Sequence, residues 1–135
     1  MKSKKEEAIN KKKIGYNCAQ AIACTYCDLA NVDEETMKNI SQAFGTGMGT
    51  LEGTCGAISG AAIILGMINK NPRLTMQDIR KIMNEFKSRN GTVTCSELKG
   101  INTGKVLREC NDCVGDAAEF LERILNEKNI ELEKK

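Results

Sequence analysis

The sequence has no histidine and no tryptophan, a single proline, Pro72, and only three phenylalanines and two tyrosines in 135 residues. Each shortage excludes a class of function. Without histidine there is no Ser-His-Asp or Cys-His catalysis, no His-ligated zinc and no c-type haem attachment. Scarce aromatics argue against base-stacking platforms for single-stranded nucleic acid. The net charge is +2 and the pI about 8.1, short of the basic face and pI above about 9 that mark nucleic-acid binders. The longest uncharged apolar run falls short of the roughly 20 residues of a membrane-spanning helix. The first residues, MKSKKEEAINKKK, lack the apolar core of a secretory signal. A cytoplasmic chain is the expectation.

Two residue types are abundant instead. Six of the twelve glycines fall between Gly45 and Gly60, so glycine is a local feature here. Cysteine occurs seven times. An odd count in a cytoplasmic protein does not fit a disulfide-stapled secreted domain and turns attention to metal binding or redox chemistry.

Ala, Lys, Glu, Leu, Ile and Met dominate, and β-branched runs are few, which favours helices. The length suits one domain over residues 1–135 with a real core, frayed at 1–4 and 129–135. The pattern predicts an all-α, single-domain bundle of about five helices around a buried central helix, residues 55–68. A first long helix is expected over residues 4–29. At about 100° per residue, Ile14, Cys18, Ala21, Ile22, Thr25 and Leu29 share one face, with Cys24 at its flank and Cys27 well off it. Lys11, Lys12 and Lys13 read as a solvated face. Asp33 is the expected N-cap of a short helix reaching Phe44, with Glu34 and Glu35 in its first turn and Met37, Ile40 and Phe44 on its buried side.

The stretch FGTGMGTLEGTCGAISGAAIILGMI, residues 44–68, reads as a glycine loop followed by an uncharged helix. Thr54 is the expected cap, placing Cys55 at the first helical position. Gly56 and Gly60 are four apart, a spacing that lets a neighbouring helix approach closely. The loop lacks G-x-G-x-x-G and a Gly-Lys-Ser/Thr ending, so it is not read as a phosphate cradle. Thr75 and Asp78 open the next helix, in which Ile79, Ile82, Met83 and Phe86 keep helical spacing. Met67, Met76 and Met83 are expected as core filler. Thr94-Cys95-Ser96-Glu97 is a capping-box pattern and puts Cys95 at a helix start. The last helix is expected over residues 105–128, with Val106, Cys110, Cys113 and Val114 on its buried face.

Four cysteines stand out from this reading. Cys18 and Cys110 lie mid-stripe on two long helices. Cys55 and Cys95 each follow a threonine at a helix start, where partial positive charge and free N–H groups stabilise a thiolate. For Cys24 and Cys113 the simpler reading is a small core residue, although Cys113 is one turn from Cys110 and a possible additional thiol.

Gly15-Tyr16-Asn17-Cys18-Ala19-Gln20-Ala21, residues 44–49, Cys55-Gly56-Ala57-Ile58-Ser59-Gly60, Thr94-Cys95-Ser96-Glu97-Leu98, and Cys110 with Val114, Ala117 and Ala118 together resemble the C_GCAxxG_C_C family of redox-active proteins. The resemblance spans roughly residues 15–125 and fills all four cysteine positions of the family. It implies a redox role for Cys18, Cys55, Cys95 and Cys110, with an iron–sulfur or similar group, and a link to oxidoreductase or transporter components. Gly49, Gly56 and Gly60 are then the expected cofactor-binding glycines, offering backbone N–H groups to sulfur.

Three readings follow. Four thiolates without histidine suit an iron–sulfur cluster or, alternatively, tetrahedral zinc. The same residues could serve metal-free thiol–disulfide chemistry, with Cys55 and Cys95 as nucleophiles and Cys18 or Cys110 as the resolving partner. The third reading is a non-catalytic helical interaction module with packed cysteines and no cofactor. No constellation names a substrate, so whether the chain is an enzyme stays open at this level.

Overall fold

The computed structural model describes residues 2–132. Among these the chain forms seven α-helices and no strand: α1 (Lys5–Lys13), α2 (Cys18–Thr25), α3 (Glu34–Ser41), α4 (Gly56–Asn69), α5 (Pro72–Asn90), α6 (Cys95–Lys99) and α7 (Cys110–Glu127). Short 3-10 turns follow α2 and α3. The all-α expectation holds, with more and shorter helices than the sequence pattern gave.

The long first helix is broken. Gly15 has φ +118°, and Asn17 opens a new helix by a capping box: its side chain accepts from the Gln20 N–H, and the Gln20 side chain accepts from the Asn17 N–H. The reciprocal bonds satisfy two donors that a helix start would otherwise leave orphaned. Ile14, placed on the buried stripe by the wheel, is therefore 76% exposed in the connection. Asp33 caps α3 as expected, accepting from Thr36 N–H. Met37 is buried, but Ile40 is exposed.

Two other helix starts differ from expectation. Helix α5 begins at Pro72 and not at Thr75, because Asn71 accepts from the N–H groups of Arg73 and Leu74. Proline at the first helical position loses no hydrogen bond, since that N–H has no partner within the helix. Helix α7 begins at Cys110, so Val106 is exposed in the preceding loop. Met67 and Met76 are exposed as well and fill no core gap.

Helix α4 is the centre. It packs against α2, α5 and α7, and α7 also packs against α1. Ile22, Ile58, Ile64, Leu65, Phe86, Leu121 and Leu125 form the fully enclosed core. The contact of α2 with α4 is built on small residues. A methyl group added at Gly60 would stand 2.6 Å from the Ala19 carbonyl oxygen, and one at Gly56 would meet the Ala19 backbone nitrogen at 3.1 Å. At the ends, Lys4 N–H is held by the Glu122 carboxylate and Leu132 is buried, so the chain is tied down at 4 and 132 where fraying was expected. Residues 1 and 133–135 of that expectation lie outside the described residues.

Candidate functional site

The four cysteines share one local geometry. Cys18, Cys95 and Cys110 are the first residues of α2, α6 and α7, and Cys55 is the N-cap of α4. The sequence reading gave this position to Cys55 and Cys95 only. It left Cys18 and Cys110 in mid-helix, because apolar spacing runs through the break at Gly15 and through the loop before Cys110. The capping role also differs from expectation. Neither Thr54 nor Thr94 makes a side-chain cap. Cys55 makes no side-chain cap either, although the N–H groups of Ala57 and Ile58 at the start of α4 help to lower its thiol pKa.

The two threonines do something else. They form an antiparallel bridge, Thr54 with Thr94, flanked by Cys55 N–H to Val93 O (2.7 Å) and Cys95 N–H to Gly53 O (3.0 Å). The repeated Thr-Cys pair thus zips two helix starts side by side. Over them lies the glycine loop, where Thr46, Met48 and Leu51 all hold positive φ, a backbone state uncommon for such residues and typical of over-determined sites. Gly47 presses on Cys95 so closely that an added methyl would stand 2.7 Å from the Cys95 Cβ.

These elements enclose a cavity of about 60 Å³ lined by Cys18, Cys55, Cys95, Cys110 and Cys113, together with Gly56. Its charged lining is Lys12, Lys99 and Arg108, with no carboxylate. Cys24 and Cys27 do not line it. Cys24 is buried and directs its thiol to the Glu34 carbonyl at 3.7 Å. Gly49 and Gly60 do not line it either: Gly49 is exposed in the loop, and Gly60 faces α2.

Within the cavity the thiols bear on one another's protonation in two pairs, Cys18 with Cys110 and Cys55 with Cys113. Cys18 draws the Cys110 thiol down to about 6 against the burial that opposes it, with Lys99 and Lys12 assisting. Cys113, with burial opposing and the α4 N–H groups helping, lowers Cys55. The partners move the other way: Cys18 and Cys113 are raised by the same pairing and by burial. Burial raises Cys95 and pushes Cys24 up to about 11. In each pair one thiol is thus made the more acidic and its partner the less. In metal-free, reduced protein, alkylation of Cys110 by iodoacetamide is expected to be half-maximal near pH 6, with Cys18 and Cys113 unreactive there. A pH series read by mass spectrometry checks this.

The cavity wall at α7 is fixed by a buried carboxylate. Asp116, 1% exposed, accepts from Arg108 Nε and a terminal nitrogen (3.0 and 2.9 Å), from Arg89 (2.9 Å) and from Asn90 Nδ2 (3.1 Å). Bidentate pairing holds the Arg108 guanidinium in one plane. The Cys113 sulfur lies 3.9 Å from the Arg108 carbonyl oxygen. Sequence reasoning missed Lys12, Lys99, Arg108 and the full role of Cys113. Only the i, i+3 spacing of Cys113 from Cys110 hinted at it.

Among the described residues, no group of three or more His, Cys, Asp or Glu side chains is arranged to hold a single metal ion. The five sulfurs instead line a common space. This defines a small helical protein with a thiol cavity at converging helix starts. The chain belongs to the C_GCAxxG_C_C family: the family, described as "Putative redox-active protein (C_GCAxxG_C_C)", matches residues 16–124. No curated protein and no solved structure is similar to the chain at a significant level. No helix among the described residues is long and apolar enough to cross a membrane.

Proposed function

We propose that the chain is a redox protein whose cavity holds an iron–sulfur cluster on Cys18, Cys55, Cys95 and Cys110, serving electron transfer to a partner oxidoreductase or transporter component. One observation carries the reading: each of the four cysteines opens a different helix, and all four line one cavity free of histidine and carboxylate. The donor set is all sulfur, which suits iron–sulfur clusters. A cluster spreads its thiolates over several irons, so its ligands need not converge on one point. Tetrahedral zinc requires that convergence at about 2.3 Å per sulfur.

A bound cluster would supply one-electron exchange. The chain's own residues prepare for it. Helix-start dipoles stabilise the thiolates, and the Ala57 and Ile58 N–H groups help to lower the Cys55 thiol pKa. Lys12, Lys99 and Arg108 at the wall offset negative charge, which favours the more reduced state. Hydrogen bonds to sulfur and net charge are the levers that set such a potential.

Serine variants test the ligand set. After anaerobic reconstitution, Cys18→Ser, Cys55→Ser, Cys95→Ser and Cys110→Ser should each lose most of the iron, while Cys27→Ser keeps the wild-type content. Equal iron content across all five variants would dismiss the assignment.

A further inference from the structure

Charge in the cavity wall is not balanced as it is elsewhere in the chain. Half-buried lysines and arginines otherwise hold carboxylates: Lys4 pairs with Asp28, Lys5 with Glu119, Lys11 with Glu34, Arg108 with Asp116 and Lys128 with Asp78. Lys12 and Lys99 are the exceptions. Both are half-buried, and both line the thiol cavity. Among the described residues neither ammonium has an ion pair or a hydrogen bond.

The two lysines come from separate elements. Lys12 lies in the last turn of α1 and Lys99 ends α6, so only the fold brings them to one wall. The third cation there is already committed, since Arg108 gives Nε and a terminal nitrogen to Asp116. Glu109 and Asp112 flank Cys110 in sequence but do not line the cavity. Asn17 lines it, yet its amide is engaged with the Gln20 N–H and the Gln42 carbonyl. The space measures about 60 Å³, several times the roughly 10–15 Å³ that one water needs. Charge partly withdrawn from water costs free energy unless it is paired, and no carboxylate of the wall pairs with these two.

From this placement we propose that the metal-free cavity is a binding site for a small carboxylate, held between Lys12 and Lys99 with the rest of the molecule against the cysteine sulfurs. An ammonium takes such a group as a point charge, and a carboxylate has an oxygen for each. The inference deepens the redox reading of this cavity by naming the class of small molecule that reaches its thiols. A carboxylate-bearing compound is favoured over a neutral one of the same size.

Two alkylating agents of matched size test this at a single sulfur. Iodoacetate carries a carboxylate and iodoacetamide does not; both lose iodide to the attacking thiolate. Full-length protein, reduced and freed of metal under argon, is treated with each reagent at neutral pH. Tandem mass spectrometry reads the rates at Cys110, half-buried in the cavity wall, and at Cys27, half-buried outside it. Each ratio of rates is taken at one sulfur, so the thiolate fraction cancels. An ion pair of partly exposed groups is worth a few-fold at most, so two lysines should raise the iodoacetate-to-iodoacetamide ratio at Cys110 about tenfold over that at Cys27. The iodoacetate rate at Cys110 should also level off with concentration, while the iodoacetamide rate stays proportional to it. Lys12→Gln and Lys99→Gln should each lower the ratio about threefold, and the double variant should bring it to that of Cys27. A ratio at Cys110 no higher than at Cys27, or an iodoacetate rate that never levels off, would overturn the proposal. Both are read on wild type and require no variant to fold. A ratio unchanged in the double variant would overturn it as well. Iron uptake is a separate result. If no cluster forms, the cluster reading fails and the ratio stands; if the ratio is flat, this proposal fails whatever the iron content.

Discussion

Gly60→Ala is expected to destabilise the protein, and Gly66→Ala, six residues along the same helix, to stabilise it. Replacing a helical glycine by alanine gains up to about 1 kcal/mol of intrinsic propensity. At Gly66 nothing lies within 4 Å of the added methyl, so most of that gain should appear, about 0.5–1 kcal/mol. At Gly60 the methyl would stand 2.6 Å from the Ala19 carbonyl oxygen and 3.0 Å from the Ile22 Cβ. The first of these is helix backbone and cannot swing away. Helix α2 must move off α4, and overpacking of this kind costs about 1–3 kcal/mol, more than the propensity returns. The displacement also acts on the site, because α2 carries Cys18 at its first residue and α4 carries Cys55 at its cap. Urea unfolding of the two variants reads the opposite signs. Reconstituted Gly60→Ala should in addition retain less iron than Gly66→Ala. Equal stability would mean that the α2–α4 approach is not the constraint that the glycine spacing encodes.

Asp116→Asn carries the second large effect. The carboxylate is nearly inaccessible and is bound by Arg108, Arg89 and Asn90. Breaking a buried ion pair costs about 3–5 kcal/mol when the stranded partner stays buried. Here both guanidinium side chains are about one-third exposed and can recover water, so the lower end, about 3 kcal/mol, is expected. The pH dependence has a definite sign. Burial works against the Asp116 charge, but the bonds from Arg108, Asn90 and Arg89 together hold its carboxyl below the ordinary range. Its contribution is therefore present above the unfolded value of about 3.9 and is lost as pH falls through the lower folded value. Wild type should lose this part of its stability in acid, and Asp116→Asn should not. The substitution also frees Arg108 from one plane, so Cys113 should be alkylated faster in the variant than in wild type. Urea midpoints at neutral and acid pH, with the alkylation rate, check all three consequences.

The sequence carried the helical class, the central helix and the four family cysteines, because each rests on a local signal: the uncharged run after Cys55, the repeated Thr-Cys pair, and the glycines four apart. It misread what depends on where helices stop. Apolar spacing continued from Ile14 to Cys18 although the chain turns at Gly15, and from Val106 to Cys110 although no helix spans them. The competing signal was present in Asn17-x-x-Gln20, a capping box with amide residues, and it outweighs the apolar stripe. The same oversight hid the common feature of the site. Once α2 and α7 begin at Cys18 and Cys110, all four cysteines stand at helix starts. The meeting of Cys55 and Cys113 in one cavity brings together the starts of α4 and α7, and the clamp of Arg108 by Asp116 joins α7 to the loop before it; no helical spacing reports either.

Iron and acid-labile sulfide, measured on wild-type protein purified and reconstituted under anaerobic conditions, test the central claim most directly. The cluster reading predicts coloured protein with stoichiometric iron and a matching amount of sulfide, both lost when the cavity cysteines are replaced. Colourless protein without iron after reconstitution, or protein that carries zinc in its place, would contradict it.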